Sequence, residues 1–288
     1  MNLNDAQYCG EPFFSFEFYP PQTDHGEILL REAALELAEL GPAFFSMTYG
    51  AGGSTRGKTV VLAYYLQGLT QVDTVCHLTC VGQSKDEVRG VLRDIELLGM
   101  RNVLALRGDP PQGKEDWQPH PDGFQYASEL IEEIKHRGTQ LSIGVAGFPE
   151  KHPDSPDRES DLKWMKRKID CGADAVITQL FFDNRDYFRY VEDLRAMGVE
   201  TPVIPGILPV QSVSKLRRFC DLCQARIPDA MNEELSQYEN DDEACREYGV
   251  RYAVRQIAEL LENGAPGVHL YCLNKSWSAR RIFAELKM

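Results

Sequence analysis

Positive charge is in short supply in this chain relative to negative charge. Its 288 residues carry 31 Lys and Arg against 44 Asp and Glu, a formal net charge of −13. Binding to a phosphate backbone draws its affinity from cations that displace condensed counterions, so nucleic-acid and anionic-membrane partners are excluded. No run approaches about 18 apolar residues, and the opening MNLNDAQYCG has no cationic start followed by an apolar stretch. Neither a membrane span nor a secretion signal is expected, and the protein is read as soluble and cytoplasmic. Cysteine is sparse, eight in all, too dilute for a disulfide framework. Cys76, Cys80, Cys171 and Cys272 stand in apolar contexts that suit buried, reduced thiols. The six histidines show no H-x-H, H-E-x-x-H or H-x-x-x-H spacing, so no metal site is expected. Cys220 and Cys223 have C-x-x-C spacing but no second ligand pair.

What is present is alternation. Short runs of β-formers at 13–19, 44–49, 74–80, 102–107, 141–148, 175–182, 203–208 and 268–273 are separated by segments of helical period. The helical segments lie near 25–40, 57–69, 84–98, 123–137, 158–171, 184–197, 211–223, 244–263 and 276–287. Eight strand-helix units predict an α/β fold, a single closed (β/α)8 TIM barrel. The rival, a doubly wound sheet, would announce a dinucleotide with G-x-G-x-x-G after its first strand, and that signal is missing. Residues 50–55 (GAGGST) only begin like it and are read as a ligand-facing loop after the second strand. Residues 108–123 hold four prolines and three glycines, which predicts a long loop able to act as a lid. The acidic stretch 227–249 is read as a solvated charged insertion in the seventh unit.

A barrel keeps its reactive groups at the C-terminal ends of its strands. In Phe14-Ser15-Phe16-Glu17-Phe18 the phenylalanines share one face, so Glu17 is expected to point into the mouth. Desolvation there would favour a protonated acid able to donate. The alternative is that Glu17 pairs with a cation such as Arg107 and only organises the barrel. Asp109, in Arg107-Gly108-Asp109-Pro110, either opposes positive charge on a ligand or initiates a turn before proline. His152, Asp161, Lys166, Arg167 and Lys168 follow the fifth strand, either as an anion site fit for a diphosphate or as a helix face laced with ion pairs. His77, within a strand, reads as a hydrogen-bonded core histidine. None of the strands contains a lysine for Schiff-base chemistry.

In order along the chain, Phe14-Ser15-Phe16-Glu17-Phe18-Tyr19-Pro20-Pro21, Thr48-Tyr49-Gly50-Ala51, His77-Leu78-Thr79-Cys80, Ala105-Leu106-Arg107-Gly108-Asp109, His152-Pro153, Ile177-Thr178-Gln179 and Pro205-Gly206-Ile207-Leu208-Pro209 resemble the methylenetetrahydrofolate reductase family. The resemblance implies FAD across the barrel mouth and reduction of 5,10-methylenetetrahydrofolate to 5-methyltetrahydrofolate. NADH or NADPH would be the donor, and the product would supply one-carbon units for methionine synthesis. It implies that residues 1–288 form one catalytic barrel without the regulatory domain of animal enzymes, in a homo-oligomer. Glu17 matches the family's general acid, which protonates folate N10. Asp109 matches an aspartate near flavin and pterin, and Gln179 a glutamine that contacts folate and nicotinamide. Thr48, His77, Arg107, Gly108, Asp109, Ala146, Phe148, His152, Asp161 and Lys168 match flavin-binding positions, and Leu273 and Lys275 match folate-binding ones. Three residues depart from the bacterial pattern: Phe148 stands for a tyrosine, Val213 for a phenylalanine that covers nicotinamide and pterin, and Lys275 for an arginine. Two other readings stand beside this one. One is a flavin- or folate-binding subunit fed electrons by a partner protein; the other is a flavin barrel of the proline dehydrogenase type.

Overall fold

Side chains alternate across the first strand, β1 (Phe13–Phe18), and this alternation separates the two layers of the molecule. Phe14, Phe16 and Phe18 enter the core under the helices, while Ser15 and Glu17 reach polar partners inside the barrel. The computed structural model describes residues 1–286 apart from 9, 50–55, 81 and 110–117. The expected ligand-facing loop at 50–55 and most of the expected lid therefore lie outside the described residues.

β1 is flanked in parallel by β2 (Phe44–Met47) and by the last strand, β9 (Gly267–Tyr271). Beyond β2 follow β3 (Thr74–Thr79), β4 (Asn102–Leu106), β5 (Ser142–Gly147) and β6 (Ala175–Thr178), all parallel and in chain order. The expected strand 203–208 is two short pieces. β7 (Val203–Ile204) pairs with β6, and β8 (Gly206–Ile207) pairs with β9. Pro205 between them has no N–H to give the ladder, so the strand breaks there. The ring of strands closes through this break. β6 stops at Thr178, short of the expected 182, and Phe181 and Phe182 are buried beyond its end.

The connecting helices are α1 (Asp24–Ala38), α2 (Arg56–Thr70), α3 (Lys85–Leu97), α4 (Ala127–His136), α5 (Arg158–Asp170), α6 (Asn184–Ala196), α7 (Val213–Cys223), α8 (Asp229–Leu235), α9 (Asp242–Glu262) and α10 (Trp277–Leu286). Their starts follow from local chemistry. Ser84 opens α3 with a reciprocal capping box to Glu87, and the Asp157 carboxylate accepts from Ser160 N at 2.8 Å to open α5. The segment 227–249 corrects the expectation of a solvated insertion. It forms α8 and the first turns of α9, and it buries Met231, Leu235, Cys245 and Tyr248 in a second core with Val213, Leu216 and Cys220 of α7. Met231 and Leu235 lie four apart on one face, so acidic neighbours can stay in water while that face packs.

The barrel interior is layered. Its floor holds Leu3, from a 3-10 turn (Leu3–Tyr8), against Phe44, Val75, Leu104 and Ile204. The described cysteines, Cys76, Cys80, Cys171, Cys220, Cys223, Cys245 and Cys272, are free thiols. No described helix is long and apolar enough to cross a membrane.

Candidate active site

Above the floor the interior turns polar, and Glu17 stands at the boundary. Its side chain is 19% exposed, and its Oε2 lies 3.5 Å from His77 Nε2, 3.6 Å from His269 Nε2 and 3.5 Å from Ser46 Oγ. Register places Ser46 on β2 and Tyr271 on β9 as the direct neighbours of Glu17 across the ladder, and His269 opposite Ser15. His269 is fully buried, with Nδ1 2.7 Å from Ser15 Oγ and Nε2 3.2 Å from Ser46 Oγ. Burial holds the His77 imidazole down to about 4, against the opposing pull of the Glu17 carboxylate and with a further push from His269. At neutral pH His77 is therefore uncharged, and its contact with Glu17 is not an ion pair. No lysine or arginine pairs with Glu17 among the described residues. Arg107, the cation proposed to neutralise it, reaches Asp154 instead, at 2.6 Å.

Glu17 lines a cavity of about 320 Å³ at the C-terminal end of the strands. The same cavity is lined by Thr48, His77, Arg107, Gly108, Asp109, Ala146, Phe148, His152 and Gln179, from the ends of β2 to β6 and the loops after them, and by Lys168 of α5. Gly108 takes φ +85°, which turns the backbone away after β4 and leaves Asp109 exposed on the rim. Tyr271 lies beneath, and its hydroxyl donates to the Thr178 carbonyl at 2.5 Å. A Cβ on Gly206 would collide with that hydroxyl and that carbonyl, so the site requires glycine there.

A second cavity, about 330 Å³, adjoins the first and shares Arg107, Ala127, Phe148, His152 and Lys168 with it. Lys168 sits at the junction. Its ammonium donates to the Ala146 carbonyl at 2.7 Å and has no carboxylate within ion-pair distance among the described residues. Burial brings its pKa down to about 8, with Asp161 partly opposing. His152 packs edge-on against Phe148 at 4.5 Å and accepts at Nδ1 from the Asp154 N–H, which leaves its proton on Nε2. Asp161 accepts from Ser155 Oγ at 3.0 Å. At the far side of the second cavity Tyr126 and Trp164 stack, their ring centroids 6.0 Å apart. A sheltered, unpaired ammonium between two joined cavities suits an elongated ligand with an anionic middle and a planar ring.

The residues singled out in the sequence do not all meet. Leu273 and Lys275 line a third cavity, which shares only Glu17 with the first. Val213 is 1% exposed in the second core and lines none of the three. Lys166 and Arg167 pair with Asp170 and Glu132 on the outer face of α5 and leave Lys168 alone at the site. Sequence reasoning missed Ser46, His269, Tyr271, Tyr126 and Trp164. The strand alternation would have found His269 and Tyr271 only once β9 was known to adjoin β1.

The family profile described as methylenetetrahydrofolate reductase matches residues 2–287. A protein of Arabidopsis thaliana described as methylenetetrahydrofolate reductase (NADH) 1 is 37% identical over 287 residues, 96% of this chain and 48% of that one. A protein of Salmonella typhimurium described as 5,10-methylenetetrahydrofolate reductase is 34% identical over 276 residues, 96% of this chain and 91% of that one. The chain thus spans about half the length of its plant relatives. Among solved structures, a protein from Clostridium thermocellum described as binding two copies of 5-methyl-5,6,7,8-tetrahydrofolic acid superposes with a TM-score of 0.64. It shares 14% identity and covers 100% of this chain and 98% of its own, a likeness of fold. Profile and relatives together show that the chain belongs to the methylenetetrahydrofolate reductase family.

Proposed function

We propose that this chain reduces 5,10-methylenetetrahydrofolate to 5-methyltetrahydrofolate with FAD as cofactor and NADH or NADPH as donor, and so supplies one-carbon units for methionine synthesis. Family membership supports the reaction class, and the plant relative's name supports a pyridine nucleotide. When bound, FAD would supply the hydride chemistry, accepting from the nucleotide and delivering to the folate. Lys168, with Arg107 and His152 Nε2, would hold the diphosphate; Phe148 and Gly108 would bound the ring system; Tyr126 and Trp164 would flank the adenine. Gln179 and Asp109 are read as contacts to the pterin.

The observation that carries the reading is the position of Glu17, a carboxyl lining the cavity with no lysine or arginine paired to it among the described residues. Around it stand only the Ser46 hydroxyl, which donates to its Oε2 at 3.5 Å, and the imidazoles of His77 and His269. A carboxyl so placed is within reach of a ligand in the cavity and can act as a proton donor to it. From there the proton can pass to folate N10 as the ring opens. Asp109 on the rim would stabilise the cation so formed.

The test is kinetic. The protein should bind FAD, and NADH or NADPH should bleach it without oxygen. Glu17→Gln should keep that bleaching while methylenetetrahydrofolate turnover falls about a hundred- to ten-thousandfold. Normal turnover in that variant would remove Glu17 as the acid. A second reading, electrons fed by a partner protein, is favoured by the burial of Val213 away from the cavities. It would be preferred if methyltetrahydrofolate bleached the flavin and neither nucleotide did.

A further inference from the structure

The outer face of α2 carries no charge among its described residues. Gly57, Val61, Tyr64, Tyr65 and Gly68 face solvent there, and their spacing of i, i+4, i+7, i+8 and i+11 makes them one stripe. A helix on the outside of a globular protein ordinarily turns charged residues to water. From Thr59 to Thr70 this one has none. On α1, Ile28, Arg31 and Leu35 form a second stripe beside it, with the Arg31 guanidinium 5.7 Å from the centre of the Tyr65 ring. Glu27 of α1 and Lys58 of α2 neutralise each other at 2.7 Å. Ile28, Leu35, Val61, Tyr64 and Tyr65 are each 40% to 62% exposed.

A large side chain can bury roughly 200 Å², so about half of that from each of five offers on the order of 500 Å² of apolar surface. A patch of that size, rich in tyrosine and poor in charge, has the composition of the centre of a protein contact. With its rim it approaches the ~800 Å² that each partner gives to a stable interface.

The stripe itself points to what covers it. In an antiparallel pair of α2 helices related by a two-fold axis between residues 62 and 63, Gly57 faces Gly68 of the other copy and Val61 faces its Tyr64, so the stripe is complementary to itself. A Cβ at either glycine would meet open space, and two backbones can approach closely at both ends of the stripe. Charge gives the same answer. Two copies at −13 each repel over most of their surfaces, and least across an uncharged face. A strongly charged partner of another kind would be steered to charges of opposite sign, which this stripe lacks. We propose that the outer face of α2 packs antiparallel against the same face of a second copy, with α1 at the rim. None of the stripe residues lines the three cavities, so the pairing leaves the lining of the mouth untouched.

The test is the mass in solution. Sedimentation of the unaltered protein at about 20 µM should give twice the chain's 32.6 kDa. The dimer should tighten as salt rises from about 50 to about 300 mM, because salt screens the repulsion between the copies. Val61→Glu and Tyr64→Lys should each weaken it at least about tenfold, and both should keep the circular dichroism of the parent, since the altered side chains are exposed. An equal mixture of the two variants should associate more tightly than either alone, because the alignment sets the introduced carboxylate of one copy against the introduced ammonium of the other. Gln140→Glu, which adds the same charge at an exposed position between α4 and β5, should leave the mass unchanged. A mass of four copies that Val61→Glu halves supports the same face as one of two. A monomer, a dimer that either substitution leaves intact, an association that salt weakens, a mixture that stays apart, or the same loss in Gln140→Glu would overturn the inference.

Discussion

Lys168 is the side chain whose charge depends most on what binds beside it. Its pKa of about 8 lies below the ordinary lysine value near 10.4, with burial the main cause. A lowered cation has a definite sign. Below pH 8 the fold carries the cost of a sheltered charge, and that cost is relieved as pH rises from about 8 to about 10, so this group alone makes the protein more stable across that window. An anion acts in the opposite direction, because it favours the protonated ammonium. FAD is therefore expected to bind with proton uptake, and its dissociation constant to rise several-fold between pH 7 and 9.5. Lys168→Met should weaken FAD binding at pH 7 by about ten- to hundredfold, the scale of one hydrogen bond to a charged group, and flatten the pH profile. Fluorescence titration across that range checks both; the same slope in both proteins would detach Lys168 from the diphosphate. The inward face of Glu17 was legible in the sequence because one strand's alternation decides it. Its partners were not. Ser46 and His269 are single polar residues in otherwise apolar strands, and only the closing of β9 onto β1 brings His269 next to a residue more than 250 positions away.

At the scale of elements, the strands and most helices could be read from period and punctuation, since each buries a face whose spacing is 2 or 3.6. Two elements could not. Pro205 sits in an apolar run that looks like one strand, and the ladder splits there because the missing N–H leaves one hydrogen bond unmade. α8 was hidden by its composition: in DAMNEEL the acids dominate, and only Met231 and Leu235 reveal the buried face. That face matters beyond α8, for it packs against α7. Leu235 is fully buried, so Leu235→Ala should cost about 2–5 kcal/mol in urea unfolding, the range of leucine truncations in cores. A cost under about 0.5 kcal/mol would mean that α8 rests loosely on the barrel. By contrast, Ser84→Ala removes only the capping box of α3 and should cost about 1 kcal/mol.

Across the whole molecule, stability and chemistry occupy opposite ends of one cylinder. The floor is apolar and closed by Leu3, whose backbone N–H donates to the Asn102 side chain at 2.9 Å. The mouth is polar, carries the incompletely satisfied His77 Nε2 and the sheltered Lys168, and has left-handed residues at its edge. Such features cost stability and are tolerated because the other end is packed without them. The separation has a measurable consequence. Leu3 is fully buried among residues of several strands, so Leu3→Ala should lower the free energy of unfolding by about 2–5 kcal/mol. Leu3 lines none of the three cavities itself, and of its cluster Leu104, Leu106 and Ile177 also line the first. None of these three is assigned to the flavin, so FAD affinity measured below the unfolding transition should stay within about twofold. If affinity falls in step with stability, the strain of the mouth is carried through these shared side chains to the floor, and the barrel behaves as one coupled unit rather than a stable base under a reactive rim.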